Sequence, residues 1–153
     1  RDFRHLERLA TPTTLVVIDD IYPNHPRQAA RERATRVWTG DVWKLHRCLA
    51  DLRPDLFLLP LDTKPTGLLL VAGLDPGNRI LWNRYNQVVK KYRDQQDELP
   101  PETVVRRQDA VDPADPLVAA VLRLLGELRE RRQKPAQVAA ALRGVGDSRG
   151  SVS

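Results

Sequence analysis

The chain lacks several features that mark common classes of protein. It contains no methionine and a single cysteine, Cys48, so an internal disulfide cannot form and a reducing cytoplasm is the expected compartment. No stretch approaches the ~18 consecutive apolar residues of a membrane span, and no charged start followed by an apolar run indicates a signal peptide. We therefore expect no membrane partner. Because methionine is absent and the first residues read as a helix already in progress, we expect a piece of a longer protein.

Aromatic residues are scarce, at 5% of the 153 positions, while the net charge is +5. The 20 arginines and 5 lysines are interleaved with acidic residues, as in RQAARERATR, which is typical of solvated helix faces. Aromatic and basic residues do not alternate as a single-strand-binding surface requires. No nucleic-acid partner is expected, and a basic nucleic-acid binder is kept as the weakest alternative.

The apolar residues that are present predict one α/β domain with a core of its own. An unbroken apolar run at residues 14–19 predicts a strand with both faces covered, as in a parallel sheet. Two more apolar runs, at residues 56–62 and 68–74, are separated by DTKPT and predict an antiparallel hairpin. Helical periodicity is found at residues 2–10, 26–36, 40–52, 79–97, 116–131 and 135–143.

Two adjacent carboxylates follow the first predicted strand, in LVVIDDIYP. Like charges side by side cost free energy unless a positive group shares their site. Asp19 and Asp20 would lie at the carboxyl end of the strand, which is where open α/β sheets bind ligands. The pair is therefore the first candidate for a functional site.

Three stretches carry a resemblance to a known family: RDFRHLERLATPTTLVVIDDIYP, WTGDVWK and PDLFLLPLDTKPTGLLLVAGLDP. Together they resemble the C-terminal half of class I S-adenosylmethionine-dependent methyltransferases, in the branch that includes macrocin-type sugar O-methyltransferases. WTGDVWK is the most specific of the three. The resemblance implies that the three strands are the fifth, sixth and seventh of a Rossmann-like sheet, with the seventh antiparallel beside the fifth. It covers the α/β half-domain (1–78), and the rest of the chain is expected to form a helical extension (79–143) and a flexible tail (144–153).

The cofactor site that the resemblance implies would lie mostly upstream of this chain. The family's glycine-rich loop and ribose-binding acidic residue have no counterpart here, and GVGDSRG follows a helix rather than a strand, so it lacks the context of a nucleotide loop. We expect this chain alone to be inactive and to bind S-adenosylmethionine poorly. The unaccompanied strand 14–19 would expose an edge, so a homo-oligomer is among the expected partners.

A metal role for Asp19 and Asp20 also follows from the resemblance. With an aspartate from a strand outside this chain, the pair would hold Mg²⁺, which prefers carboxylate oxygens. The cation would orient acceptor hydroxyls and lower the pKa of the attacking one. Two alternatives stay open: the carboxylates cap the following loop by accepting backbone N–H groups, or they have another polar role.

The WTGDVWK block supplies further candidates. Thr39 is the predicted N-cap of the next helix, and Lys44 is the candidate donor or base, with His25 as a second catalytic candidate. Alternatively, both tryptophans pack the helix onto the sheet and Lys44 only extends past them to solvent. The candidate substrate-binding residues are Tyr22, Trp38, Thr39, Gly40, Asp41 and Trp43.

The expected function is O-methyl transfer to a small hydroxylated acceptor. The alternative from another class is a non-catalytic interaction module, which would bind a partner through the exposed strand edge and the C-terminal helices. The upstream sequence would discriminate between the two, because only the enzyme needs a strand followed by a G-x-G loop.

Overall fold

The computed structural model describes residues 2–94 and 99–147 and has a mixed α/β architecture. In these residues a three-stranded sheet is formed by β1 (Val16–Asp19), β2 (Phe57–Leu61) and β3 (Leu68–Ala72), in the order β1-β3-β2. The central strand β3 is antiparallel to both neighbours, so β1 and β2 run in the same direction. The strand positions and the antiparallel placement of the last strand beside the first confirm the expectation from the sequence.

The helices lie before, between and after the strands. Their bounds are α1 Asp2–Glu7, a 3₁₀ turn Pro26–Ala29, α2 Trp43–Leu52, α3 Ile80–Asn83, α4 Tyr85–Val88, a π-helical turn Val89–Arg93, α5 Glu102–Val105, α6 Pro116–Arg129 and α7 Pro135–Asp147. Among the helices of the described residues, none has the length and apolar character that a membrane crossing requires.

Two helix predictions differ most from the observed bounds. The helix expected at 26–36 is a single 3₁₀ turn, because the backbone of Ala30 becomes extended (ψ 140°) and its carbonyl accepts the indole N–H of Trp38 at 2.6 Å. The carbonyl of Gln28 is likewise taken by the N–H groups of Thr39 and Gly40. Hydrogen bonds to the returning chain thus replace those of a longer helix.

The helix expected at 79–97 is broken at Arg84, whose backbone (φ −100°, ψ 14°) separates α3 from α4. Its predicted end falls partly on residues 95–98, outside the described residues. The expected tail from residue 144 begins inside α7, which continues to Asp147. The remaining tail positions, 148–153, also lie outside the described residues.

The core has two layers because side chains of β3 alternate across the sheet. Leu69 and Val71 pack on the side of α1 and α2, while Leu70 and Ala72 pack on the side of α6 and α7. Coverage of β1 is incomplete, since Val17 is 53% exposed. The prediction that both faces of β1 are covered is therefore wrong for the described structure, because α6 and α7 pack against β2 and β3.

Candidate functional site

The acidic pair lies at the end of β1 that adjoins the β2–β3 hairpin. Asp19 is paired in register with Leu68, the first residue of β3. Asp20 has a left-handed backbone (φ 65°), and its N–H donates to Asp19 Oδ1 at 2.8 Å. This bond is the kind of contact that the capping alternative predicts. Within the described residues no group of three or more His, Cys, Asp or Glu side chains could hold a metal ion.

Tyr22, a candidate for substrate contact, is fully buried. Its hydroxyl donates to Asp109 Oδ1 at 2.5 Å, and its backbone N–H donates to the carbonyl of Thr66 at 2.8 Å. A β-carbon at Gly67 would lie 2.3 Å from Tyr22 Cδ2, so only glycine allows the hairpin to approach the ring this closely. Tyr22 thus holds the loop after β1 against the hairpin and lies below the surface.

His46 and Arg107 complete what we call the Tyr22 cluster: Tyr22, His46, Arg107 and Asp109. The His46 ring meets the Tyr22 ring edge-on at 6.5 Å, and its Nε2 lies 4.0 Å from Asp109 Oδ2. The guanidinium carbon of Arg107 lies 5.8 Å from the centre of the Tyr22 ring. One tyrosine is therefore surrounded by an imidazole, a carboxylate and a guanidinium.

Burial sets the protonation states in this cluster. It raises the pKa of Tyr22 well above its usual value, and the hydrogen bond to Asp109 raises it further, so the phenol stays a donor. Burial also lowers the pKa of His46, and the negative charge of Asp109 opposes this only in part. At neutral pH the cluster therefore holds a neutral imidazole and a protonated phenol.

Arg107 ties this cluster to the hairpin and to the loop after β1. Its guanidinium donates to the carboxylate of Asp62, to the carbonyls of Thr63 (3.1 Å) and Pro65, and to Asn24 Oδ1 (2.6 Å). The side chain is 8% exposed. Five donors in a planar fork suit arginine to such bridging. Three segments that are distant in sequence are thereby fixed at one end of the sheet.

Asp41 and Lys44 lie elsewhere, along a cavity of about 410 Å³ between α1, α2 and residues 80–93. Lys44 is buried, with 4% of its surface exposed. Neither Asp19, Asp20 nor His25 lines this cavity. Asp41 and Lys44 are therefore separate from the acidic pair at the carboxyl end of β1.

The remaining residues of the WTGDVWK block have mainly packing contacts. Trp43 is 1% exposed, and its indole Nε1 has no hydrogen-bond partner among the described residues. Trp38 is 40% exposed and covers Gly40, where a β-carbon would lie 3.2 Å from the indole. The packing alternative therefore fits Trp43, which is inside the core, but Trp38 does not pack α2 onto the sheet.

Thr39 is not the N-cap that the sequence predicts. Helix α2 begins at Trp43, with Val42 as an N-cap that makes no side-chain cap, while the Thr39 hydroxyl donates to the carbonyl of Gln28 at 3.2 Å. Because Thr39 and Gly40 are hydrogen-bonded to the 3₁₀ turn, α2 begins later than predicted, at Trp43. His25 has a local role: its Nδ1 accepts the N–H of Arg27 at 3.2 Å and caps that turn.

A buried ion network joins α1 to the end of α2, and sequence reasoning missed it. Arg53 is fully buried and donates to Glu7 through two bonds of 2.7 Å and to Asp55. Burial opposes ionisation of Arg53, but its hydrogen bonds to Asp55 and Glu7 and their negative charges hold its pKa above the usual value. Burial likewise raises the pKa of Asp55, but the hydrogen bonds and the charge of Arg53 outweigh it and hold that pKa below the usual value. No local pattern connects these residues, because 46 positions separate Glu7 from Arg53.

Sequence reasoning also missed Arg107 and Asp109. The available signal was indirect: a buried tyrosine usually finds a hydrogen-bond partner for its hydroxyl. This rule does not identify the partner of Tyr22, because Asp109 is 87 positions away in the sequence. Residues 107–111 reach this place because Val111 forms an isolated parallel bridge with Leu61 of β2.

Comparisons of this chain with protein-family models, with curated proteins and with solved structures found no match.

Proposed function

We propose that this chain is part of an S-adenosylmethionine-dependent methyltransferase that acts on a hydroxyl group of a small acceptor. The observation that carries the proposal is the strand arrangement. An antiparallel strand inserted between two strands of common direction is the sheet ending that the resemblance of the sequence implies. On this proposal β1, β2 and β3 are the last three strands of the larger sheet.

We propose that the acidic pair contacts the molecule that receives the methyl group. Transfer of a methyl group to a hydroxyl oxygen would form a C–O bond, break the S–C bond to the methyl group with S-adenosylhomocysteine as the leaving group, and release the hydroxyl proton, so the reaction needs a proton acceptor. Asp19 is the last residue of β1 and Asp20 follows it, at the sheet end where α/β proteins bind ligands. One carboxylate would accept the hydroxyl proton while the other holds the acceptor by a hydrogen bond.

The Tyr22 cluster supports this role indirectly. The bonds from Tyr22 to Asp109 and to Thr66 fix the chain two residues beyond Asp20. The contacts of Arg107 hold the neighbouring hairpin. Because these groups are mutually satisfied, they are proposed as positioning residues for the acidic loop and not as residues that contact substrate.

The described residues do not by themselves form a site for Mg²⁺ or for S-adenosylmethionine. Asp19 and Asp20 are adjacent at the end of β1, and among the described residues no group of three or more metal-ligating side chains is found. Gly144 and Gly146 lie within the helix α7, so they form no phosphate or nucleoside loop. When bound, S-adenosylmethionine supplies the electrophilic methyl group, and its binding residues are proposed to lie outside this chain.

The test substitutes each aspartate in the protein encoded by the complete open reading frame. Asp19→Asn and Asp20→Asn should each lower turnover by about 100-fold, the lower end of general acid–base contributions. The melting temperature should change little, because asparagine also tolerates the left-handed backbone of Asp20. Release of S-adenosylhomocysteine over a panel of sugars and catechols measures turnover.

Asp147→Asn, which removes an exposed carboxylate of α7, is the matched control and should behave as wild type. A lowered melting temperature with turnover retained would favour the capping alternative and contradict the catalytic proposal. Full wild-type turnover in the presence of a chelator would exclude a metal role for the pair.

A second candidate is a non-catalytic interaction module. It is favoured by the outer edge of β1, which pairs with no other strand in the described residues, and by the exposed Val17 beside it. Unpaired strand edges are templates for pairing with another chain. A complete protein that binds a partner but releases no S-adenosylhomocysteine with any acceptor would favour this candidate.

A further inference from the structure

The cavity beside α2 has the size and the wall of a small-molecule site. Its volume of about 410 Å³ lies within the ~300–1,000 Å³ of typical ligand sites. Phe3, Leu45, Leu81 and Val88 contribute apolar wall. Cys48 adds to it, because burial raises the pKa of its thiol to about 11 and keeps the group neutral.

Basic side chains outnumber carboxylates along the cavity wall. Arg4, Lys44 and Arg93 line the cavity with one carboxylate, that of Asp41, and Arg93 also forms an ion pair with Asp94 at 3.0 Å. Lys44 is also part of this wall and is 4% exposed. An apolar wall with an excess of cationic side chains attracts anions more strongly than neutral molecules, because a low-dielectric wall screens charge less than open solvent does.

Arg4 is held in place by aromatic rings. Its guanidinium carbon lies 4.1 Å from the centre of the Trp82 ring and 3.8 Å from that of Tyr85. Its buried Nε has no hydrogen-bond partner among the described residues. Stacking occupies the faces of a guanidinium and leaves its edges as donors, which match a carboxylate.

We propose that this cavity binds a small organic carboxylate with an apolar body, whose carboxylate pairs with Arg4 and whose body lies among the apolar walls. The proposal is independent of the methyltransferase function, because the cavity contains neither Asp19 nor Asp20.

The test titrates the isotope-labelled 153-residue chain with 2-naphthoate and with its neutral analogue 2-naphthamide, followed by amide chemical shifts. Both probes are small enough for the cavity and differ in charge. The acid should bind about tenfold more tightly than the amide, as one charge-assisted hydrogen bond implies. Shifts should map to α1, α2 and residues 80–93.

Two matched variants test whether Arg4 causes the preference for the acid over the amide. Arg4→Gln should weaken naphthoate binding by about tenfold and leave naphthamide binding unchanged. Arg8→Gln removes the same charge from the same end of the chain, near Trp82 (5.5 Å) but outside the cavity lining, and should bind as wild type. If Arg4→Gln fails to fold, the relative affinities of the wild type for the acid and the amide still test whether the cavity selects an anion.

Several outcomes would overturn the proposal. Equal affinity for acid and amide, or equal losses in Arg4→Gln and Arg8→Gln, would show that Arg4 does not select an anion. Shifts outside the cavity, or no saturation at about 10 mM probe, would show that there is no site. Cavity shifts that depend on protein concentration without probe would assign the cavity to a second copy of the chain.

Discussion

His46 is mostly buried beside Tyr22 and Asp109, and its titration should therefore affect folding. Burial lowers its pKa in the folded protein, with Asp109 opposing, relative to about 6.5 in an unfolded chain. Between the folded value and 6.5 the unfolded chain binds a proton that the folded protein does not. The free energy of unfolding must therefore fall as pH drops below neutrality.

His46→Gln removes this titration. Urea unfolding at a series of pH values should show a shallower loss of stability between neutral and mildly acidic pH than in the wild type. Parallel curves for the two proteins would contradict the burial of a neutral imidazole. The other titratable groups are present in both proteins, so the difference between the two curves reports the loss of His46.

At the scale of elements, the Glu7–Arg53–Asp55 network decides how α1 docks onto the end of α2. Glu7→Gln would leave the fully buried Arg53 with Asp55 as its remaining carboxylate partner. Breaking a buried pair costs about 3 kcal/mol. We expect a loss of that size in the free energy of unfolding, measured with urea.

The chain also supplies the matched control for this change. Glu102→Gln removes a carboxylate from an exposed pair with Arg106, whose side chains are 71% and 66% exposed, and should cost less than about 0.5 kcal/mol. Equal losses in the two variants would mean that the buried network does not fix α1.

The strands could be predicted because each is a short, continuous apolar run whose pattern is local. Helix α6 was likewise evident from its spacing, since it spans Pro116–Arg129 and the periodicity predicted a helix at 116–131. The turn after Ala29 could not be predicted, because the indole of Trp38 ends it from eight positions away. The contacts of Asp109 and Arg53 could not be predicted for the same reason, because the tertiary fold determines their partners.

Asp19 and Asp20 show which features of a site a local sequence motif can predict. The position of the pair at the end of a strand followed from the sequence, and the structure places it there. The left-handed backbone of Asp20 and the bond to Asp19 Oδ1 had no signal in the residue types. The chemistry of the pair stays a proposal until the substitutions described above are measured.

At the scale of the whole molecule, helices cover β2 and β3 more completely than β1. Val17 is half exposed, and the outer edge of β1 is unpaired within the described residues. A further strand at this edge would satisfy its backbone groups and cover the exposed side chain. The methyltransferase proposal requires such a strand, together with a cofactor site, in the complete protein.

The most direct test of the central claim is a calorimetric titration of S-adenosylmethionine into the protein from the complete open reading frame and, separately, into this 153-residue chain. The account predicts a dissociation constant of about 10 µM or below for the complete protein and no measurable binding by the chain alone. Failure of the complete protein to bind at about 1 mM cofactor would contradict the methyltransferase proposal. Micromolar binding by this chain alone would contradict the placement of the cofactor site outside it.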